Sequence, residues 1–345
     1  MFIHFYSVNN RRVESGYTGQ LFPVVSRGLR IIFGWIPFSI GDIFYGFVGI
    51  WLLIKLFNLC RSLLHRQTRH QYKTGLTLKL SNLLLIFGSI YIIFNIFWGI
   101  NYNRVGIASQ LGLQMKKYST EDLKEINCLL LEKLNSSKAS LLQQQLVYPS
   151  NAQLRIRVKN AYESLSMQYP YLAYRNVSFK TSIWGWLGNY AGFTGYYNPF
   201  TGEAQLNTTV PRFIQPYTAC HEVAHQIGYA KEMEANFVGY LAAANSSDVL
   251  LHYSVYLDLF SYANRNLYYT DSITAKLYRR ELSPAVVKDL REWFAFSKRH
   301  QNPAEPIIRW LYGKFLESNQ QPQGILSYDE VTGFLIAYQR KFGRI

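Results

Sequence analysis

The chain has 345 residues, 49% of them hydrophobic and 16% aromatic, enough for two domains and for either a large core or membrane-crossing segments. Its formal net charge is +15, but residues 1–118 hold 13 Lys or Arg against Glu14 and Asp42, which leaves 23 against 19 in the remainder. The excess therefore belongs to an apolar N-terminal region, where anionic lipid headgroups account for it without a nucleic-acid partner. Cys60, Cys128 and Cys220 are an odd number without metal-ligand spacing, so no disulfide framework is expected.

The opening residues MFIHFYSV are too short to cross a bilayer, and no cleavable signal is evident. Residues 17–40, interrupted by Pro23, Arg27, Arg30 and Pro37, suit a segment lying in the membrane interface. IFYGFVGIWLLIKLFNLC, residues 43–60, carries one charge, Lys55, close enough to its end to reach the headgroups, and reads as a first span. LSNLLLIFGSIYIIFNIFWGI, residues 80–100, has no charge and reads as a second. The stretch 61–79 between them holds Arg61, Arg66, Arg69, Lys73 and Lys79 with no acid, the pattern of a cytoplasmic loop. Residues 1–104 thus form a membrane region, and residues 105–345 form a second domain on the far side of the membrane.

That second domain opens with residues 119–135, where Ser119 and Asp122 form a capping box and Leu123, Ile126, Leu130 and Leu134 recur at helical spacing. RNVSFKTSI alternates Val177, Phe179, Thr181 and Ile183 on one face of a half-buried strand. FTGYYNPFTGEAQLN, residues 193–207, reads as two short strands about an N-P and T-G turn. It is either an ordinary hairpin or a shelf for an extended substrate.

HEVAHQIGYAKEMEAN, residues 221–236, follows. Four helical residues turn about 400°, so His221 and His225 lie on one face about a turn apart and can reach one ion. Glu222 stands off that seam, close enough to touch a water at the ion, the arrangement of H-E-x-x-H zinc hydrolysis. Cys220 points about 100° away from His221, so the two do not make a nucleophile and base. A third ligand is needed. On an unbroken helix Glu232 would lie about 10 Å beyond His225, too far for ligand bonds of about 2 Å. The chain must turn, and Gly228 can take the left-handed conformation that ends a helix and swings the following acids back.

H-E-x-x-H with the following E-x-x-A-N (Glu232, Ala235, Asn236) resembles the gluzincin branch of zinc metallopeptidases. That resemblance implies Glu232 as third ligand, with Glu234 as runner-up, and Asn236 as the residue that orients a ligand histidine. The spacer after His225 is shorter than in most gluzincins, and Asn236 stands where aspartate is commoner. A metzincin would carry histidine at position 231, which here is Lys231. With its spans, the chain is similar to an uncharacterised family of membrane-anchored bacterial zincin-like proteins. The fold so implied is α+β: N-terminal transmembrane helices, then a zincin-like domain with a small mixed sheet, an edge hairpin, an active-site helix and a helical C-terminal subdomain.

After Asn236 the pattern is helical almost to the end. Ser283-Pro284 starts a helix, and SYDE, residues 327–330, forms a capping box before another. His252 or Tyr256 would be placed to hold an oxyanion if it faced the cleft, but aromatic residues at this spacing read as core, so neither is given a role. No G-x-S-x-G and no phosphate-binding glycine loop is present. The expected protein is a membrane-anchored zinc-dependent metallopeptidase of a bacterial cell membrane, with its catalytic domain outside. His221, His225 and Glu232 would hold Zn²⁺, Glu222 would be general base, and the partners would be a peptide or protein substrate and the lipid bilayer. The alternatives are a membrane-tethered scaffold with a structural metal, or a zinc hydrolase of a non-peptide amide such as a cell-wall crosslink.

Overall fold

In the computed structural model, which describes residues 2–64, 76–324, 326 and 330–345, short helical segments from Phe2 to Leu21 lead into α1 (Phe22–Phe33). Two apolar helices follow, α2 (Ile40–Leu64) and α3 (Leu76–Phe97). Residues 65–75, the middle of the expected cytoplasmic loop, lie outside the described residues. Over Ile40–Arg61, 22 residues, α2 is long and apolar enough to cross a bilayer, and it begins earlier than the sequence pattern suggested. Phe47, Ile50, Leu53, Leu56 and Phe57 are each more than half exposed.

The second apolar helix ends sooner than expected: α3 closes at Phe97, and a 3₁₀ turn over Gly99–Asn103 follows. Trp98, Ile100 and Tyr102 are buried against Tyr17, Phe22 and Tyr197. Residues 98–100, which read as part of the span, are thus protein core, because the N-terminal segment folds back over them.

The body is mostly helical. Helix α4 (Thr120–Gln143) starts at the expected capping box, with Ser119 and Asp122 satisfying each other's backbone N–H, and buries Leu123, Ile126, Leu130 and Leu134. It lies along α9 (Val249–Thr270), and each of those side chains contributes about 1.5–3 kcal/mol by leaving water. Helix α5 (Asn151–Gln168) covers the far side of the helix that carries His221 and His225, with the Tyr162 hydroxyl donating to Cys220 O at 2.7 Å.

One small mixed sheet completes the α+β architecture. Strands β1 (Phe179–Thr181), β2 (Gly195–Asn198) and β3 (Glu203–Leu206) lie in the order β1-β3-β2, with β1 parallel and β2 antiparallel to β3. The expected hairpin is β2–β3, and β2 is its outer strand. Helix α6 (Gly185–Ala191) joins β1 to β2. The alternation expected along 177–183 fails: Thr181 and Ile183 are exposed, while Ser178 and Lys180 are buried. The Lys180 ammonium donates to the Gly34 and Ile36 carbonyls, so the connection from α1 to α2 covers the face that the pattern gave to solvent.

The helices after the sheet are α7 (Gln215–Gln226), α8 (Glu232–Ala244), α9, α10 (Ser272–Arg280), α11 (Pro284–His300), α12 (Glu305–Ser318) and α13 (Val331–Phe342). Ser283 caps α11 as expected. Of the expected SYDE box only Glu330 falls within the described residues, as an N-cap residue without a side-chain cap.

The start of α2 is bound to the sheet. The buried Glu203 carboxylate accepts from Ile40 N (3.2 Å), Gly41 N (2.7 Å) and Thr201 Oγ1 (2.9 Å), placing an anion on free N–H groups at the helix N-terminus. Asp42 accepts from Ser182 Oγ at 3.1 Å and from the Tyr196 hydroxyl.

Candidate metal centre

Every residue of α7 is buried, so His221 and His225 are enclosed by protein. The helix stops at Gln226, and Gly228 has φ +98°, a conformation that glycine adopts without strain. A Cβ there would lie 2.8 Å from Phe22 Cε1 and 3.4 Å from Arg104 Nη1. The Gly228 and Tyr229 N–H groups return to His225 O (2.9 Å) and Ala224 O (3.1 Å), closing the helix end. Arg104 Nη1 donates to Gly228 O at 3.0 Å, and its guanidinium stacks 4.0 Å from the Tyr229 ring centroid. The chain reverses, and α8 begins at Glu232, whose backbone N–H donates to Gln321 Oε1 at 2.8 Å.

This turn brings the downstream acid onto the imidazoles. Glu232 Oε2 lies 3.2 Å from His221 Nε2 and 3.3 Å from His225 Nε2. One ligand atom from each of His221, His225 and Glu232 lies within 4.8 Å of the others, and all three residues are buried. Glu234, the other acid the sequence left open, is directed elsewhere: its Oε1 abuts Gly106, and the Arg104 charge acts on it.

Around the cluster, His225 Nδ1 sits 2.7 Å from Tyr229 O, an atom that only accepts, so Nδ1 carries a proton and Nε2 turns toward Glu232. His221 donates to the Asn236 side chain. The Trp98 indole N–H donates to His225 O at 3.3 Å, and the Tyr312 hydroxyl donates to Glu232 Oε1 at 2.8 Å. Apart from the two imidazoles, the buried Glu232 Oε2 has no partner. Three electron-pair donors thus converge on one point, which a cation or a proton must occupy, and two imidazoles with one carboxylate are a donor set that suits Zn²⁺.

The electrostatics agree. Burial acts to lower His225, but the Glu232 charge and hydrogen bond outweigh it and carry it up to about 9, so a proton can stand in for the cation. Burial dominates at His221 and pulls it below the ordinary imidazole value. At Glu232 burial acts upward, yet His225 and the imidazole hydrogen bonds hold the carboxyl well below the usual range. Glu222 is also buried, with Oε2 unpartnered, and burial pushes it up to about 8. A dication held by its neighbours acts in the opposite sense.

Gly195 of β2 comes close to Glu222: a Cβ there would lie 2.8 Å from Glu222 Oε1 and 2.8 Å from Thr218 Cγ2. Glycine lets the outer strand approach α7. A cavity of about 270 Å³, almost wholly apolar in its walls, opens beside this contact between Tyr45, Trp184, Leu187, Phe193 and Tyr196.

Other residues weighed from the sequence lie outside this constellation. Tyr256 belongs to the core, and His252 Nε2 is 2.7 Å from Ser246 O. Cys220 is buried, and burial pushes its thiol up, the reverse of what a nucleophile needs. Sequence reasoning missed Tyr312, Gln321, Trp98 and Arg104, which reach the site from distant segments and carry no local motif.

No curated protein and no solved structure matches the chain. Residues 17–336 match a family model described as a protein of unknown function, DUF3810. That match takes in the apolar helices, the sheet and the His-His-Glu cluster together, and the chain belongs to the DUF3810 family.

Proposed function

We propose that the protein is a membrane-anchored, zinc-dependent peptidase of gluzincin type. The observation that carries this reading is the convergence of His221 Nε2, His225 Nε2 and Glu232 Oε2 beside the buried Glu222 carboxylate. Zn²⁺ bound there would supply Lewis acidity, polarising a carbonyl and acidifying a water. Glu222 takes the proton of the attacking water and passes it to the leaving amine. Tyr312 and Asn236 hold Glu232 and His221 in place. Strand β2 lies along the approach to Glu222, with its outer backbone edge suited to an extended peptide.

Three protein ligands among the described residues would leave a fourth position for water, which favours catalysis over a closed structural site. Helices α2 and α3 anchor the chain, and the basic stretch 61–79 sits on the cytoplasmic side, with the metal centre across the membrane. The test is metal analysis of the purified full-length protein paired with peptide-library cleavage, for wild type and Glu222→Gln. The expected result is bound zinc in both and cleavage by wild type alone. Full cleavage by Glu222→Gln would refute the assigned base, and a metal-free wild type that still cleaves would refute the zinc mechanism.

A further inference from the structure

Helix α12 carries its apolar residues on both sides. Tyr312 and Leu316 face inward, with Tyr312 on Glu232, whereas Ile307, Trp310 and Leu311 form an outward stripe at spacings of three and four residues and are 62%, 61% and 55% exposed. Helix α6 packs against α12 and presents Trp186, Leu187 and Tyr190, each 45% exposed or more. Of the described elements, α11 reaches the edge of the α6 face, where His300 meets the Tyr190 ring with centroids 5.0 Å apart, and the remaining side chains of both faces stay exposed. Scattered exposed apolar residues are ordinary on a protein surface, but two such faces on helices packed against each other call for an apolar partner.

Direct contact joins the patch to both apolar helices. The Trp184 indole N–H, at the start of α6, donates to Asp42 O at 2.9 Å, and a Cβ on Gly46 of α2 would lie 3.0 Å from the Trp184 ring. Gly46 is about 9 Å along the helix axis from Ile40 at 1.5 Å per residue, so α6 stands beside the second turn of the span, not above its end. On the other flank Phe315 of α12 meets Phe94 of α3, with ring centroids 6.4 Å apart. Trp and Tyr with aliphatic neighbours, level with the first turns of a span, is the composition of the bilayer interface.

We propose that the outward faces of α6 and α12 are seated in the interfacial layer of the bilayer, so that the His221, His225 and Glu232 cluster is held next to the membrane surface. This rests on the reading of α2 and α3 as membrane anchors and not on the peptidase chemistry. Tyr312 and Phe193, whose rings are 5.3 Å apart, link the seated helices to the metal cluster and to the mouth of the hairpin.

The test uses the full chain in nanodiscs of phosphatidylcholine and phosphatidylglycerol, with Cys60→Ser and Cys128→Ser in the background and the buried Cys220 kept. Spin labels at Leu187→Cys and Leu311→Cys are compared with Leu53→Cys on α2 and with Ile273→Cys, 75% exposed on α10. The expected result is oxygen access at 187 and 311 above that at 273 and below that at 53, with most of the nickel-chelate access seen at 273 lost. Water-like labels at 187 and 311 with a lipid-like label at 53 would overturn this inference alone, and a water-like label at 53 would overturn the anchor as well. Labels shielded from both oxygen and nickel would assign the faces to a protein contact and overturn it too. A second measurement needs no label: brominated lipid should quench the native fluorescence less after Trp186→Phe with Trp310→Phe, and unchanged quenching would count against the seat.

Discussion

His221, His225 and Glu232 meet because each is held from behind. The Tyr229 carbonyl fixes the His225 ring, the Asn236 side chain takes the hydrogen bond from His221, and the Tyr312 hydroxyl occupies the Glu232 oxygen that faces away from the cluster. Tyr312→Phe keeps the ring contacts with Phe193 and Phe315 but frees that oxygen. Loss of such outer partners typically weakens metal binding about 10–100-fold, so chelator competition should show Tyr312→Phe and Asn236→Ala releasing zinc at correspondingly lower chelator concentration. Glu232→Ala removes a ligand outright and should leave the purified protein without a full metal equivalent; normal zinc content would move the third ligand elsewhere. Gly228→Ala forces a side chain into a positive-φ position against Phe22, a strain of about 1–3 kcal/mol, readable as a lower unfolding temperature together with reduced metal content.

Among the elements, the α7–α8 pair works through its interruption. A continuous helix would separate Glu232 from His225, and the turn at Ile227–Lys231 converts sequence neighbours into one coordination shell. The same economy is seen where α2 meets the sheet. Glu203 on β3 satisfies the first N–H groups of α2, so the strand paired with β2 also positions the long apolar helix. Glu203→Ala leaves those donors buried without an acceptor, a cost of about 3 kcal/mol, and limited proteolysis should then cut between Gly34 and Ser39 faster than in wild type. Helix α4 is remote from the site, and Ser119→Ala removes its capping box for about 1 kcal/mol. Thermal unfolding should register that loss with zinc content unchanged.

Across the whole molecule, the metal centre is enclosed by segments from both ends of the chain. Ser26 and Arg30 of α1 donate to Gln226 O, Arg104 holds the Gly228 turn, and Gln321 holds the start of α8. Residues assigned from the sequence to the membrane region thus form a wall of the site. With α2 and α3 read as membrane anchors, this position would hold the cluster on one side of the bilayer. If that side is extracytoplasmic, a thiol introduced as His70→Cys in the basic stretch, with Cys60→Ser and Cys128→Ser in the background, should react with an impermeant reagent only after the cell is opened. Labelling in intact cells would invert the orientation.

Much of the local chemistry was legible in the sequence. The imidazole pair, the glycine that must break the helix, the capping box at Ser119 and the hairpin about Pro199 are written in short-range patterns whose geometry follows from backbone periodicity and from the φ that glycine permits. Tertiary structure decided what periodicity cannot express. It turned Glu232 rather than Glu234 onto the imidazoles, because Tyr312 meets the one carboxylate while the other lies against Gly106, both from distant parts of the chain. It drew Trp98 and Ile100 out of the apolar run and into the core, and it buried the Lys180 face of β1. Burial is a property of the partner that arrives from elsewhere in the chain, and no window of residues contains that partner.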